Sequence, residues 1–296
     1  MIKAGLITLN GAATRASCTV RTGDRIKITS GVIPPPVGMA RFGTASTDVL
    51  RRVEILFFDS ELIVVNKPAG MPVHPSPGHP NSTLVNELLA KFPELPAVGE
   101  PQGLMRAGIV HRLDKETSGV MVVARTPYAK MELSQQFKDR SVTKLYLAIA
   151  KGVVARDRFV VDRPLGRHPT ERKRMSIRTR KPRSAYTEFL VLHRLGPQNA
   201  TLLKAHPRTG RTHQIRVHLA AAGHPCLGDA LYGGQGNVGW PRKGQALHAL
   251  ALTITHPRTG ERLEFIAPIP DDFSEFLKTG GLAFQRSMIS EWTTDI

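Results

Sequence analysis

The stretch HRLDKETSGVMVVART, residues 111–126, sets one carboxylate, Asp114, between a His-Arg-Leu triplet and Lys115, then continues into a Thr-Ser-Gly turn and an apolar run. A run of that length bounded by turn residues reads as a buried strand, so Asp114 stands at the mouth of a turn that opens onto the core. A carboxylate fixed there by the backbone, with Arg112 and Lys115 supplying positive charge nearby, is a candidate nucleophile. The same residues admit a plainer reading, because Asp followed by Thr and Ser often ties off a turn through side chain to backbone hydrogen bonds. The tetrad alone leaves both open.

Downstream, Thr126-Pro127 opens a predicted helix, PYAKMELSQQFKDR, since Thr caps well and Pro suits the first helical position. A strand, KLYLAIAKG, follows. Residues 163–183 are dense in Arg and Lys without apolar periodicity and read as an extended basic loop or ribbon. AYTEFLVLHRL and ATLLKAHP look like paired strands, RTHQIRVHLAAAG has one helical face with Gly223 as its stop, and LHALALTITHP with RLEFIAP resembles a hairpin. Upstream, VEILFFDSELIVVNKPAGMPVHP reads as strand, acidic turn and strand, and TLVNELLAKF as a helix behind Ser82/Thr83. Residues 5–30 carry two short alternating strands with turns at Asn10-Gly11 and Gly23-Asp24. There is no internal repeat and no regular alternation of strand and long helix, which argues against a doubly wound parallel sheet. The expected fold is α+β, a mixed, largely antiparallel central sheet with flanking helices and a small N-terminal β appendage.

With 41 Lys+Arg against 24 Asp+Glu in 296 residues, the formal net charge is +17, far beyond what solubility asks. Such a field concentrates phosphate backbones, and the absence of an amphipathic basic helix favours nucleic acid over a lipid surface as the partner. Cys18 and Cys226 stand far apart with no Cys-x-x-Cys pairing, the N-terminus shows no signal-peptide pattern, and no apolar run reaches about 18 residues. A reduced, cytoplasmic setting is expected. His206, His213 and His218 crowd one stretch, but a spacing of five does not put His213 and His218 on one helical face, so no metal site is expected.

Four strings taken together, HRLD at 111–114, VVNKPAGMPVHP, KLYLAIAKG and TGRTHQIRVHLAAAGHPCLGD at 209–229, resemble the RluA family of pseudouridine synthases over roughly residues 50–270. The resemblance implies that Asp114 is the catalytic aspartate, Arg216 the basic residue facing it and Tyr146 the active-site tyrosine. It also implies that Arg112 helps to fill the gap left when a target uridine swings out of its helix. No cofactor is called for, because the reaction only moves the uracil from a bond through nitrogen to one through carbon. Further RNA contacts are expected from Lys115, Arg172, Lys173, Arg174, Arg211 and His213, with the ribbon 163–183 acting as a clamp.

Residues 1–31 resemble the second half of an S-four-like RNA-binding domain whose two helices are missing, 32–48 read as a Pro- and Gly-rich linker, 49–280 as the catalytic domain and 281–296 as a tail. The expected substrate is structured RNA, most of all 23S ribosomal RNA, with transfer RNA left open; a monomer is expected. The rival is a non-catalytic RNA-binding ribosome-assembly factor on the same fold. A glycoside hydrolase fits less well, since it would want a second carboxylate as acid or base and none stands out near these motifs.

Overall fold

The computed structural model describes residues 7–15, 17–28, 53–75, 81–93, 95, 107–171, 173–233, 239–282, 285 and 287–294. Backbone contacts divide the chain into two units, Met1–Arg41 and Phe42–Ile296. The expected linker 32–48 lies outside the described residues.

The first unit carries three short strands, β1 (Ile7–Leu9), β2 (Ala12–Ala13) and β3 (Ile26–Ile28), in the antiparallel order β2-β1-β3. Two strands were expected. The third arises because Asn10 and Gly11 both take positive φ, 53° and 84°, and that tight turn folds Ala12-Ala13 back onto β1. Asn10 then ties this turn to the Gly-Asp turn, donating to Asp24 at 2.9 Å and accepting from the Arg25 N–H at 2.8 Å.

The second unit runs β4 (Glu54–Phe58), β5 (Leu62–Lys67), α1 (Leu84–Lys91), β6 (Ser118–Ala124), α2 (Pro127–Asp139), β7 (Thr143–Lys151), β8 (Arg158–Asp162), β9 (Gly166–Arg167) and β10 (Met175–Ser176). It continues through β11 (Tyr186–Leu195), β12 (Ala200–Pro207), α3 (Gln214–Ala221), β13 (Leu247–Thr255), β14 (Arg262–Ile266), α4 (Asp271–Thr279) and α5 (Ser287–Thr294). The main sheet has the order β4-β5-β6-β13-β7-β12-β11-β8, with β14 also on β13. Among the described residues its pairings are antiparallel except for β6 against β13. This is the α+β architecture expected of the chain.

The local signals behave as their chemistry dictates. Thr83 caps α1 in a reciprocal capping box with Asn86, and Thr126 caps α2 by accepting from the Ala129 N–H at 3.0 Å, with Pro127 at its first turn. Every residue of β6 is buried, as the apolar run predicts. Gly119 is obligatory there, because a Cβ at its φ of 116° would drive into the Ala249 backbone on β13. That close approach is what lets the parallel pair form beside Asp114. The stretch 281–296, set apart as a tail, contains α5, whose Trp292 is buried with Leu195, Phe273 and Leu277. The basic ribbon folds back on itself through the β9–β10 pair and an isolated bridge from Leu165 to Arg183.

Candidate active site

Asp114 lies in the turn that feeds β6, Tyr146 on the central strand β7, and Arg216 on α3. The sheet brings these three, 102 residues apart at the extremes, onto one cleft of about 510 Å³. Arg112, Arg211 and His213 line it too, along with Lys138, Arg140, Lys144 and Arg208. One carboxylate therefore sits in a ring of cations.

The turn itself is closed by backbone, with the Asp114 carbonyl accepting from the Thr117 N–H at 3.1 Å. The carboxylate instead reaches across to α3, where Oδ2 accepts from Arg216 Nη1 at 2.8 Å. This geometry decides against Asp114 as a mere turn tie. Arg216 is buried, and its other two nitrogens grip Asp229, Nε to Oδ2 at 2.7 Å and Nη2 to Oδ1 at 2.9 Å. Burial works against the guanidinium charge, but the Asp229 hydrogen bonds and the Asp114 charge outweigh it and raise the Arg216 pKa.

Asp229 was missed in the sequence because a Gly-Asp pair after a helix looks like a solvated turn. Lys67 was missed for a similar reason, as it reads as turn punctuation. It is wholly buried, and its ammonium donates to the carbonyls of Pro68 (2.8 Å), Met71 (3.0 Å) and Lys115 (3.1 Å), stitching the Lys-Pro-Ala-Gly turn to the residue that follows Asp114.

Tyr146 is half-buried, between Ala205 and Ala249 of the flanking strands. Burial, and then the Asp114 charge, push its phenol pKa up, so the ring faces the cleft with its proton in place. Lys144, two residues earlier, is brought down to about 8 by burial and by Arg140 and Arg211. The loop before α3 is ordered by Gln214, whose Oε1 accepts from Thr209 Oγ1 at 2.7 Å and the Arg211 N–H at 3.0 Å. His213 caps α3 in a left-handed conformation, φ 56°, and places Nε2 3.8 Å from Asp114 Oδ1.

Not every expected contact residue joins the cleft. Lys115 is exposed, with its ammonium 3.9 Å from Glu116. Lys173 is exposed on the ribbon, and Arg174 pairs with Glu171 at 3.0 Å. Arg172 lies outside the described residues. The crowded histidines have local partners: His206 stands 3.5 Å from Glu188, and His218 bridges Thr187 and the Arg163 carbonyl. Among the described residues no group of three metal-ligating side chains occurs, and no helix is long and apolar enough to cross a membrane.

A family model described as RNA pseudouridylate synthase matches residues 61–221, a span holding Asp114, Tyr146 and Arg216. The chain belongs to this family. It is thus an RNA pseudouridine synthase, an isomerase acting on RNA, as its likeness to the RluA type implied. An uncharacterized RNA pseudouridine synthase of Bacillus subtilis, YlyB, is 40% identical over 280 residues, covering 94% of this chain and 86% of that one. The ribosomal large subunit pseudouridine synthase D of Nitrosomonas europaea is 44% identical over 234 residues, 76% of this chain and 64% of its own. The solved structure of human RNA pseudouridylate synthase domain containing 1 superposes with a TM-score of 0.65 at 27% identity, covering 83% of this chain and 96% of that one. The family match begins at residue 61, so the S-four-like reading of residues 1–31 rests on their turns alone.

Proposed function

We propose that this synthase isomerises uridine in large-subunit ribosomal RNA with Asp114 as nucleophile, acting on a base flipped out of its helix. The observation that carries the reading is the carboxylate of Asp114, lining a cationic cleft with Oδ2 held by Arg216. The reaction breaks the bond from N1 of uracil to C1′ of ribose and forms one from C5 to C1′; N1 gains a proton and C5 loses one. Electrons and atoms balance within the nucleotide. An ionised carboxylate adding to the ring or to C1′ splits this exchange into easier steps. Tyr146 supports it as a stacking surface and as a protonated hydroxyl beside the ring carbon.

A stacked uridine reaches the cleft only by extrusion, at a cost of a few kcal/mol. The cations of the rim offset that cost through phosphate contacts, and Arg112, which is exposed at the cleft, fills the vacated stack in this reading. Arg211, His213 and the ribbon residues Lys173 and Arg174 are the further RNA contacts we assign; Arg172 and Lys115 complete the expected set. Relatives called ribosomal large subunit pseudouridine synthase D, 44% and 43% identical, favour that RNA over transfer RNA. Residues 49–280 are taken as the catalytic domain, working as a monomer in the cytoplasm.

The test uses RNA carrying tritium at C5 of uracil. The wild-type chain releases label, and Asp114→Asn lowers release by on the order of 10³-fold or more. Retained release in that variant overturns the nucleophile, and sequencing of the modified RNA that maps the site to transfer RNA overturns the assigned substrate.

A further inference from the structure

Resting on Asp114 as the nucleophile, we propose that Tyr232 is a positioning residue. Its hydroxyl holds His213 in the Nε2–H tautomer facing Asp114 Oδ1 and ties that imidazole to the basic ribbon. Tyr232 belongs to none of the motifs singled out in the sequence, yet its side chain is buried against the active site.

Three contacts bear on where each proton sits. The Tyr232 oxygen accepts from the backbone N–H of Met175, on β10 of the ribbon, at 2.8 Å. The same oxygen lies 2.8 Å from Nδ1 of His213. With one lone pair committed to Met175, we assign the arrangement that also uses the phenol proton, in which the hydroxyl donates to an unprotonated Nδ1. The ring proton therefore sits on Nε2, 3.8 Å from Asp114 Oδ1. The opposite tautomer would set a lone pair against the carboxylate.

Burial lowers the pKa of the imidazole, with Arg216 and Arg112 working in the same direction and Asp114 and Asp229 opposing, which favours the neutral ring. The phenol ring is itself held, with the guanidinium of Arg216 at 5.1 Å and that of Arg174 at 5.6 Å from its centroid. His213 meets it edge-on at 5.7 Å.

The two oxygens of Asp114 thus face unlike neighbours, a guanidinium at Oδ2 and a neutral N–H across a gap at Oδ1. Arg216 holds Oδ2, and Oδ1, 3.8 Å from the imidazole Nε2, is the oxygen left to attack. Phosphates drawn to the ribbon act on the strand whose N–H orients the phenol, so RNA docking and nucleophile geometry share one tether.

Tyr232→Phe keeps the ring and both guanidinium contacts but deletes the hydroxyl. In the full chain, kcat for tritium release is expected to fall about tenfold, with KM for RNA within about twofold. His213→Asn, which suits the left-handed backbone, is expected to give a similar drop. In the double variant the losses do not add, since Tyr232 acts through His213. Wild-type kcat in Tyr232→Phe, or additive losses, overturns the proposal. So does the wild-type protein by itself, if ¹⁵N spectra at pH 7.5 show His213 protonated on Nδ1. If Asp114→Asn keeps its activity the nucleophile assignment falls; if it is inactive while Tyr232→Phe is normal, only the tether falls.

Discussion

Of the carboxylates gripped by arginine, Asp114 on Arg216 and Glu61 on Arg258 differ in what is left over. Glu61 Oε1 accepts from Arg258 Nε at 2.9 Å and Nη2 at 2.6 Å, while Oε2 accepts from Thr126 at 2.7 Å. Its neighbour Asp59 is equally occupied, taking the N–H groups of Glu61 and Leu62 on Oδ1 and His256 on Oδ2. That network fastens the β4–β5 turn to the start of α2 and to the β13–β14 turn. Asp114 lines a cleft and gives only one oxygen to its arginine, while Oδ1 stands 3.8 Å from His213 Nε2, beyond hydrogen-bond reach. Ion-pair chemistry alone therefore does not mark a site; an unspent acceptor beside open space does.

The contrast can be broken most forcefully at Asp229. Asp229→Ala removes two of the three bonds on a buried guanidinium, and should cost about 3 kcal/mol of stability in urea unfolding. Tritium release should fall with it, by on the order of 10²-fold, because Arg216 is no longer aimed. Glu61→Ala should cost about 2 kcal/mol by the same measurement, through the lost bonds to Thr126 and Arg258, and leave kcat within about twofold below its melting range. A matching loss of kcat there would erase the distinction.

The smallest effect is one of pH. The Thr126 hydrogen bond, and then Arg258, hold the Glu61 carboxyl below its usual range despite burial. For Asp59, burial pushes up, but the Leu62 and Glu61 N–H groups and His256 together prevail and lower it. Folded pKa values below unfolded ones mean that the unfolded chain binds more protons in acid, so this stabilisation is present above the unfolded values near 4 and is lost as pH falls through the folded ones. Melting temperature should drop below pH 4, and Glu61→Gln should flatten the slope.

The parts of the fold that could be read in advance are those whose cause is local. Thr126-Pro127 and Thr83 announce their helices because a cap bonds within three residues, and β6 announces itself because burial on both faces needs an unbroken apolar run. The pairing of β6 with β13 could not be read, since its partners His248 and Ser118 are 130 residues apart and no turn connects them. The same holds within the site. Asp114 was marked as a candidate by its turn and neighbouring charges, whereas Tyr146 and Arg216 were placed by likeness to a family, and the structure brings all three to one cleft. Asp229, Lys67 and Tyr232 escaped notice because each looks like ordinary turn chemistry until the chain closes around it.

The guanidinium of Arg216 divides its three nitrogens unevenly, two to Asp229 and one to Asp114. Its orientation is thereby settled when the chain folds and need not be found again at each turnover. A lysine ammonium, a point charge on a flexible stem, would be shared between two anions and would point at neither with the same constancy. A swap that keeps the charge at position 216 would therefore leave electrostatic attraction intact while the aim is lost.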